Sequence, residues 1–225
     1  MLLWKAFTSF FKHRFFYPCI NLCTVYLTCW FDVNLAEEYN PVDAKWTTER
    51  CAVCRWIEDW EYNKIIICIR CQVAVHQECY GVRGEHDFTS WICRACENPQ
   101  LIRECCLCPV KGGALKPTDI DSLWVHITCA WFQPTVSFAN DIKMEPAVGI
   151  LNIPAQSFMK ICVICKQMHG SCAQCCRCAT YYHAMCASRA GYRMEVSSLL
   201  IEAVVFPIWI LKNLVPFVLN HSTLC

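Results

Sequence analysis

The sequence predicts a small, zinc-dominated α+β fold with much irregular chain, and three observations predict it. Cysteine supplies 22 of the 225 residues, a density that marks a chain held by cross-links or metal rather than by one large apolar core. Cys-x2-Cys pairs recur, at Cys51/Cys54, Cys68/Cys71, Cys93/Cys96, Cys105/Cys108, Cys162/Cys165 and Cys175/Cys178. His-x2-Cys pairs stand among them, at His76/Cys79, His126/Cys129 and His183/Cys186. A disulfide framework has no use for a histidine at a repeated offset. Tetrahedral zinc does, because a thiolate and an imidazole close in sequence reach one ion from a tight turn. Thiolates must stay reduced to bind metal, which points to a reducing compartment.

Composition divides the chain into three. Residues 1–35 form an apolar N-terminal extension charged only at Lys5, Lys12, Arg14 and Asp32, and residues 196–225 an apolar C-terminal tail charged only at Glu202 and Lys212. Residues 36–195 hold 18 of the cysteines, with 16 Lys+Arg against 17 Asp+Glu. A net charge near zero argues against a protein whose whole function is binding through phosphate neutralisation. Residues 15–31 contain no charged side chain, which by itself reads as a signal-peptide core or a short membrane span. Pro18 and Asn21 weaken that helix, as Pro207, Lys212, Asn213 and Pro216 interrupt residues 196–219. Secretion would also carry the zinc ligands into an oxidising compartment. Both ends therefore read as extensions, with membrane anchoring as the alternative.

The first array runs Cys51, Cys54, Cys68, Cys71, His76, Cys79, Cys93, Cys96, with Trp91 two residues before Cys93. Over residues 48–98 it resembles a PHD finger. That resemblance implies interleaved ligation, with Cys51, Cys54, His76 and Cys79 on one ion and Cys68, Cys71, Cys93 and Cys96 on the other. Neither site then forms without threading the chain past the other. A segment this short buries too little apolar surface to fold alone, and structural zinc supplies on the order of 10 kcal/mol or more per site.

Residues 102–195 read as an extended PHD finger. Its first part, residues 105–129, is a zinc knuckle of three cysteine ligands and one histidine ligand: Cys105, Cys108, His126 and Cys129. Lys111-Gly112-Gly113 suits a tight turn, Cys106 is a spare thiol, and Trp124 and Trp131 flank the second ligand pair. Its last part, residues 162–195, is a second, incomplete PHD-like finger in which Cys162, Cys165, His183 and Cys186 make one site. The middle pair is Cys172/Cys175 or Cys175/Cys178. The second is favoured because four residues separate Cys178 from His183, as four separate Cys71 from His76. A final pair is missing, and His221 and Cys225 have the wrong spacing. The expected cofactor is Zn2+, in four complete sites and a fifth that is incomplete. His86 reads as a loop residue and His169 as a reserve ligand.

The order of these units, and the runs Lys45-Trp46-Thr47-Thr48-Glu49-Arg50-Cys51, Ala74-Val75-His76-Gln77-Glu78-Cys79-Tyr80-Gly81, Leu115-Lys116-Pro117-Thr118 and Tyr182-His183-Ala184-Met185-Cys186, resemble the finger cassette of plant trithorax-like histone H3 lysine methyltransferases, truncated before the SET domain. The resemblance implies tandem PHD-type fingers with short two-stranded sheets and short helices, a nuclear location, and a non-catalytic chromatin reader. The residues after about Glu195 are too few for a SET domain, so no catalytic residue and no small-molecule substrate are expected, and the chain reads as a fragment. PHD fingers commonly take the histone H3 tail by β-augmentation. This points to Ile65, Ile66 and Ile67 as the docking strand and to Glu58, Asp59 and Glu61 as carboxylates for the tail's charges. Val73, Ala74 and Val75 offer no aromatic cage for trimethyl-lysine, leaving Trp56 and Trp60 for a partial one, while Trp91 is expected to plug the finger's core. Lys111, Lys116, Lys160, Lys166, Arg177, Arg189 and Arg193 are scattered along the sequence, which allows a weak DNA contact at most. The alternatives are part of a histone-lysine N-methyltransferase acting only with its SET domain, a RING-like ubiquitin ligase, and a membrane-anchored zinc protein. The lone histidine at the fifth of eight ligand positions favours PHD over RING.

Overall fold

The computed structural model describes residues 39–84, 87–175 and 178–192; the two apolar ends lie outside them. Regular structure is short and repeats one theme, an antiparallel hairpin that runs into a single helical turn. Strand β1 (Ile65–Ile67) pairs with β2 (Ala74–His76), and α1 (Gln77–Tyr80) follows at once. Strand β3 (Leu115–Pro117) pairs with β4 (Trp124–His126), followed by α2 (Ile127–Trp131). A third hairpin joins β5 (Ser137–Phe138) to β6 (Ala147–Val148), and α3 (Ala155–Phe158) comes after it. The last unit pairs β7 (Ala173–Gln174) with β8 (Tyr181–Tyr182) and ends in α4 (Ala184–Arg189).

The repeat has a local cause. His76, His126 and His183 each stand at the N-cap of their helix in extended conformation, with ψ of 145°, 139° and 134°. An extended N-cap followed by a helical turn brings the N-cap and N3 side chains together. That is the His-x2-Cys offset, so the sequence spacing is a strand-to-helix junction.

Each cysteine knuckle is sewn to its hairpin by the same bond. The N–H after the first cysteine donates to the carbonyl two residues before the histidine: Ala52 to Ala74 (2.7 Å), Cys106 to Trp124 (2.8 Å) and Val163 to Tyr181 (2.9 Å). The chain leaves two of these knuckles through a left-handed residue, Arg55 (φ 69°) and Lys166 (φ 62°). Leu107, Val125, Ile127, Ile150 and Met185 fill a small core in the extended finger, and Val53, Ile66, Val73 and Val75 one in the first finger.

Two features join the fingers. Tyr80 donates its hydroxyl proton to the Leu115 carbonyl at 2.9 Å and accepts from the Arg94 N–H at 2.9 Å; Trp91 meets its ring edge-on at 5.3 Å. Beside it Gly81 closes α1 at φ 74°, and a Cβ there would lie 2.3 Å from the Lys143 carbonyl carbon. The second feature is the lead-in before the first finger, which runs along the knuckle instead. Val42 donates to Pro109 at 2.8 Å and accepts from Lys111 at 3.1 Å. The Trp46 indole donates to the Lys111 carbonyl at 3.0 Å and lies against Gly112 and Gly113, where a Cβ would meet it at 2.9 and 2.5 Å.

Candidate metal centres and their surroundings

Four groups of side chains converge: Cys51, Cys54, His76 and Cys79; Cys68, Cys71, Cys93 and Cys96; Cys105, Cys108, His126 and Cys129; Cys162, Cys165, His183 and Cys186. Within each group the ligand atoms all lie within 4.8 Å of one another. Tetrahedral zinc, with bonds of about 2.3 Å to sulfur and 2.0 Å to nitrogen, needs neighbouring ligand atoms roughly 3.5–3.8 Å apart. Cys71 Sγ and Cys93 Sγ are 3.7 Å apart. His76 Nδ1 is 3.2 Å from Cys54 Sγ, His126 Nδ1 is 3.2 Å from Cys108 Sγ, and His183 Nδ1 is 3.4 Å from Cys165 Sγ and 3.7 Å from Cys186 Sγ. The donor set and its spacing fit Zn2+ at all four places. Zinc there supplies a closed structural centre that ties two stretches of chain together.

The electrostatics ask for a cation. Burial works against a charged imidazole, yet the hydrogen bonds that the imidazolium donates to Cys51 and Cys54 push the His76 pKa up to about 11. Cys162 and Cys165 raise that of His183 to about 12 against the same burial. Sulfurs that hold a proton so tightly at a buried site provide the negative charge that zinc takes up.

The backbone supports the sulfurs. Cys51, Cys105 and Cys162 Sγ accept from the N–H of His76, His126 and His183 at 3.3, 3.4 and 3.4 Å, and Cys68 Sγ accepts from the Cys93 N–H at 3.3 Å. The imidazoles present Nδ1 to the cluster. The far nitrogen of His76 sits 2.6 Å from the Glu58 carbonyl and that of His126 sits 2.6 Å from the Gly112 carbonyl, so each fixes its tautomer by donating to a carbonyl. These carbonyl partners were invisible in the sequence, since any residue type supplies one. His183 Nε2 is buried with no partner among the described residues.

The other sulfurs and histidines have separate places. Cys106 is buried outside the four groups. The Cys172 thiol is buried and donates to the Lys160 carbonyl at 3.4 Å. Cys175 and Cys178 occupy the β7–β8 turn, and the Cys175 N–H donates to Thr180 at 2.9 Å as the Cys68 N–H donates to Val73 at 3.0 Å in the β1–β2 turn. His169 lies against Tyr39, the ring centres 4.4 Å apart and the planes tilted by 37°, and belongs to none of the four groups. His86, Cys176, Arg177, Arg193, His221 and Cys225 lie outside the described residues.

Around β1, Lys64, Ile66 and Cys68 bond towards β2: Gln77 donates to Lys64 and Cys68 donates to Val73, both at 3.0 Å. By alternation the backbone groups of Ile65 and Ile67 face the other way. The Ile65 N–H is met there by Asp59 Oδ1 at 2.7 Å. Glu58, Asp59 and Glu61 are exposed. Trp60 stacks on the His76 ring at 5.1 Å, and Trp56 and Tyr62 stand 5.7 and 6.1 Å from Trp60.

Lys116 departs from its place among the scattered basic residues. Its side chain is 5% exposed, donates to the Lys143 carbonyl at 2.8 Å, pairs with Glu145 at 3.3 Å and lies 4.3 Å over the Tyr80 ring. Burial removes it from any phosphate contact. No helix among the described residues is long and apolar enough to cross a membrane.

A family model described as a PHD-zinc-finger like domain matches residues 103–211, and one described as a PHD-finger matches residues 62–97. The Arabidopsis thaliana histone H3-lysine(4) N-trimethyltransferase ATX1 is 36% identical over 170 residues, covering 73% of this chain and 16% of the relative. The Homo sapiens E3 ubiquitin-protein ligase Jade-2 is 42% identical over 147 residues, covering 64% of this chain and 18% of the relative. The chain thus spans under a fifth of these curated relatives, and the matched part is the finger region. Among solved structures, zebrafish PHF14-PZP aligns with a TM-score of 0.56 and 32% identity over 68% of this chain and 82% of that one. Four zinc-competent clusters, whose side chains all lie within the two matched segments except Cys51 and Cys54, together with a fold that aligns at 32% identity over 82% of a solved relative, place this chain in the PHD-zinc-finger family.

Proposed function

We propose that this chain is a zinc-stabilised, non-catalytic chromatin reader that works in the nucleus and takes the histone H3 tail along the free edge of β1. The observation that carries the reading is that edge. Ile65 and Ile67 turn their backbone groups away from β2, leaving a short ladder for a docking strand. Asp59 caps the Ile65 N–H until the tail supplies a carbonyl in its place, and the released carboxylate with Glu58 and Glu61 then faces the tail's positive charges. Trp56, Trp60 and Tyr62 add aromatic surface beside it, although one face of Trp60 is already spent on His76. Zinc is structural here: it sets the loops that present the edge.

The eighteen cysteine and histidine positions named from the sequence are the proposed ligands. Sixteen fill the four clusters, and Cys175 and Cys178 are the open half of the fifth site. Their turn matches that of Cys68 and Cys71, whereas Cys172 points to Lys160. The proposed boundaries keep residues 48–98 as the first finger and 102–195 as the extended one.

Calorimetry with an unmodified H3 tail peptide tests the reading. Binding that weakens when Glu58, Asp59 and Glu61 are neutralised together is expected. An affinity that ignores the triple change removes their role, and absence of binding removes the tail itself. The enzymatic reading is favoured by the methyltransferase and ligase names of the relatives. It places this chain as the finger part of such an enzyme, and S-adenosylmethionine binding and ubiquitin discharge are both expected to be absent for the chain alone.

A further inference from the structure

Residues 39–46 precede the first finger in sequence, yet they lie along the extended finger and are held there in the manner of a bound peptide. The Gln167 side-chain amide grips both backbone groups of Asn40: the Asn40 N–H donates to Gln167 Oε1 at 3.2 Å, and Gln167 Nε2 donates to the Asn40 carbonyl at 2.7 Å. Val42 then makes a parallel bridge to Val110, donating to the Pro109 carbonyl at 2.8 Å and accepting from the Lys111 N–H at 3.1 Å. Further on, the Trp46 indole donates to the Lys111 carbonyl at 3.0 Å and lies on the shelf left bare by Gly112 and Gly113. The Arg189 guanidinium stands 5.7 Å from the centre of that ring. Main-chain bonds at alternate residues and one seated side chain are how an extended peptide adds to a strand edge.

Two facts mark this occupant as replaceable. None of residues 39–46 is buried, and Asn40, Asp43 and Lys45 are exposed. The segment carries no metal ligand, so it can leave the surface without opening a zinc centre or a core. Its fit is also incomplete. Tyr39 lies against His169, whose Nδ1 is buried with no partner among the described residues, and a buried polar atom left unmet counts against the contact. Departure uncovers the Pro109 carbonyl, the Lys111 N–H, the Gln167 amide and the glycine shelf together. The first three read backbone alone, and only the shelf asks for a particular side chain, a large flat ring with a donor N–H.

We propose that residues 109–113 and 167–169 form a peptide-docking groove, which residues 39–46 fill as a built-in occupant and yield to an extended segment of another protein that carries a tryptophan in the place of Trp46. The groove uses no residue of the β1 edge, so the two sites succeed or fail independently.

Hydrogen exchange on the zinc-loaded full chain tests release. The N–H groups of Val42 and Lys111 and the Trp46 indole are expected to exchange at least about a hundredfold faster than the N–H groups of Ala52, Cys106 and Val163, which bond the knuckles to their hairpins. Equal rates would make the segment a fixed strut and overturn the proposal. Docking is read by fluorescence anisotropy on the full chain carrying Val42→Pro and Trp46→Ala. These changes remove the bridge donor and the seated ring but no metal ligand, and unchanged zinc content verifies the fold. The probes are a labelled peptide of residues 39–48, the same peptide with Trp46→Ala, and one with Asp43→Ser, Lys45→Ser and Thr47→Ser. The first and third are expected to bind the variant at least about tenfold more tightly than the parent, whose groove is filled, and the second to lose binding. Adding Gln167→Ala to the variant should weaken the first probe roughly thirtyfold, the worth of two hydrogen bonds. The proposal is overturned if no probe binds, if the second binds like the first, or if Gln167→Ala changes nothing. It is overturned if the third probe fails, because the groove then serves this chain's own segment alone. It is overturned too if the parent is a dimer that the double variant dissolves, because the occupant is then a second copy.

Discussion

Replacing Gly81 by alanine probes how the two fingers are held together. Gly81 ends α1 with φ of 74°, and its absent Cβ would stand 2.3 and 2.4 Å from the Lys143 carbonyl carbon and oxygen and 2.8 Å from the Ile142 oxygen. All three are backbone atoms of the extended finger, so no side chain can swing aside. Gly191 offers a matched control: its φ is 83°, and nothing among the described residues lies within 4 Å of its Cβ position. Both substitutions carry the left-handed cost of about 1 kcal/mol. Only Gly81→Ala adds an overpacking cost, about 2 kcal/mol. For a domain of this size each kcal/mol moves the melting midpoint by about 2–4 °C. Zinc-loaded Gly81→Ala should therefore melt roughly 6–12 °C below the parent and Gly191→Ala roughly 2–4 °C below, as followed by circular dichroism. Equal midpoints for the two variants would refute the claim that the first finger is docked on the 142–145 segment.

Native mass spectrometry of residues 39–192 is expected to find four tightly held zinc ions. Cys93→Ser should lose one of them and, because the sites interleave, loosen the partner site of the first finger as well. Fewer than four ions in the parent would refute the ligand assignment. Glu145→Ala should cost about 3 kcal/mol by stranding the buried Lys116 ammonium, while Lys116→Met should be near neutral or stabilising, as read from denaturant melts. The same lysine sets a pH dependence. Burial holds its folded pKa below the usual 10.5, so its penalty is full below the folded pKa and fades as pH rises towards the unfolded value. Any advantage of Lys116→Met should accordingly shrink on going from neutral pH to about 10.5; a constant gap would show that the ammonium is not the cause. Trp46→Ala should lower the stability of the knuckle by about 2 kcal/mol, a reduced figure for a half-buried indole. No loss of thermal stability would show that the lead-in is not part of the fold.

The metal framework was legible because its rule is local. Cys-x2-Cys and His-x2-Cys are single turns of chain, and the same offsets that name a ligand also state its backbone, as His76, His126 and His183 show at three N-caps. The β1 hairpin was readable from its β-branched run for a similar reason. By contrast, Lys116 read as one basic residue among several and is in fact a buried strut. Trp46 lay in a recognised run, but its role on the Gly112–Gly113 turn depends on a contact across 65 positions.

Sequence alone therefore determined which Cys-x2-Cys and His-x2-Cys pairs supply the four zinc-competent clusters, since those spacings are set within a single turn of chain. Tertiary structure alone decided what lies between the centres: the Tyr80–Lys116–Glu145 seam and the Trp46 indole against the Gly112–Gly113 turn. Those arise from packing between segments far apart along the chain, and short-range spacing carries no record of which distant surfaces will touch.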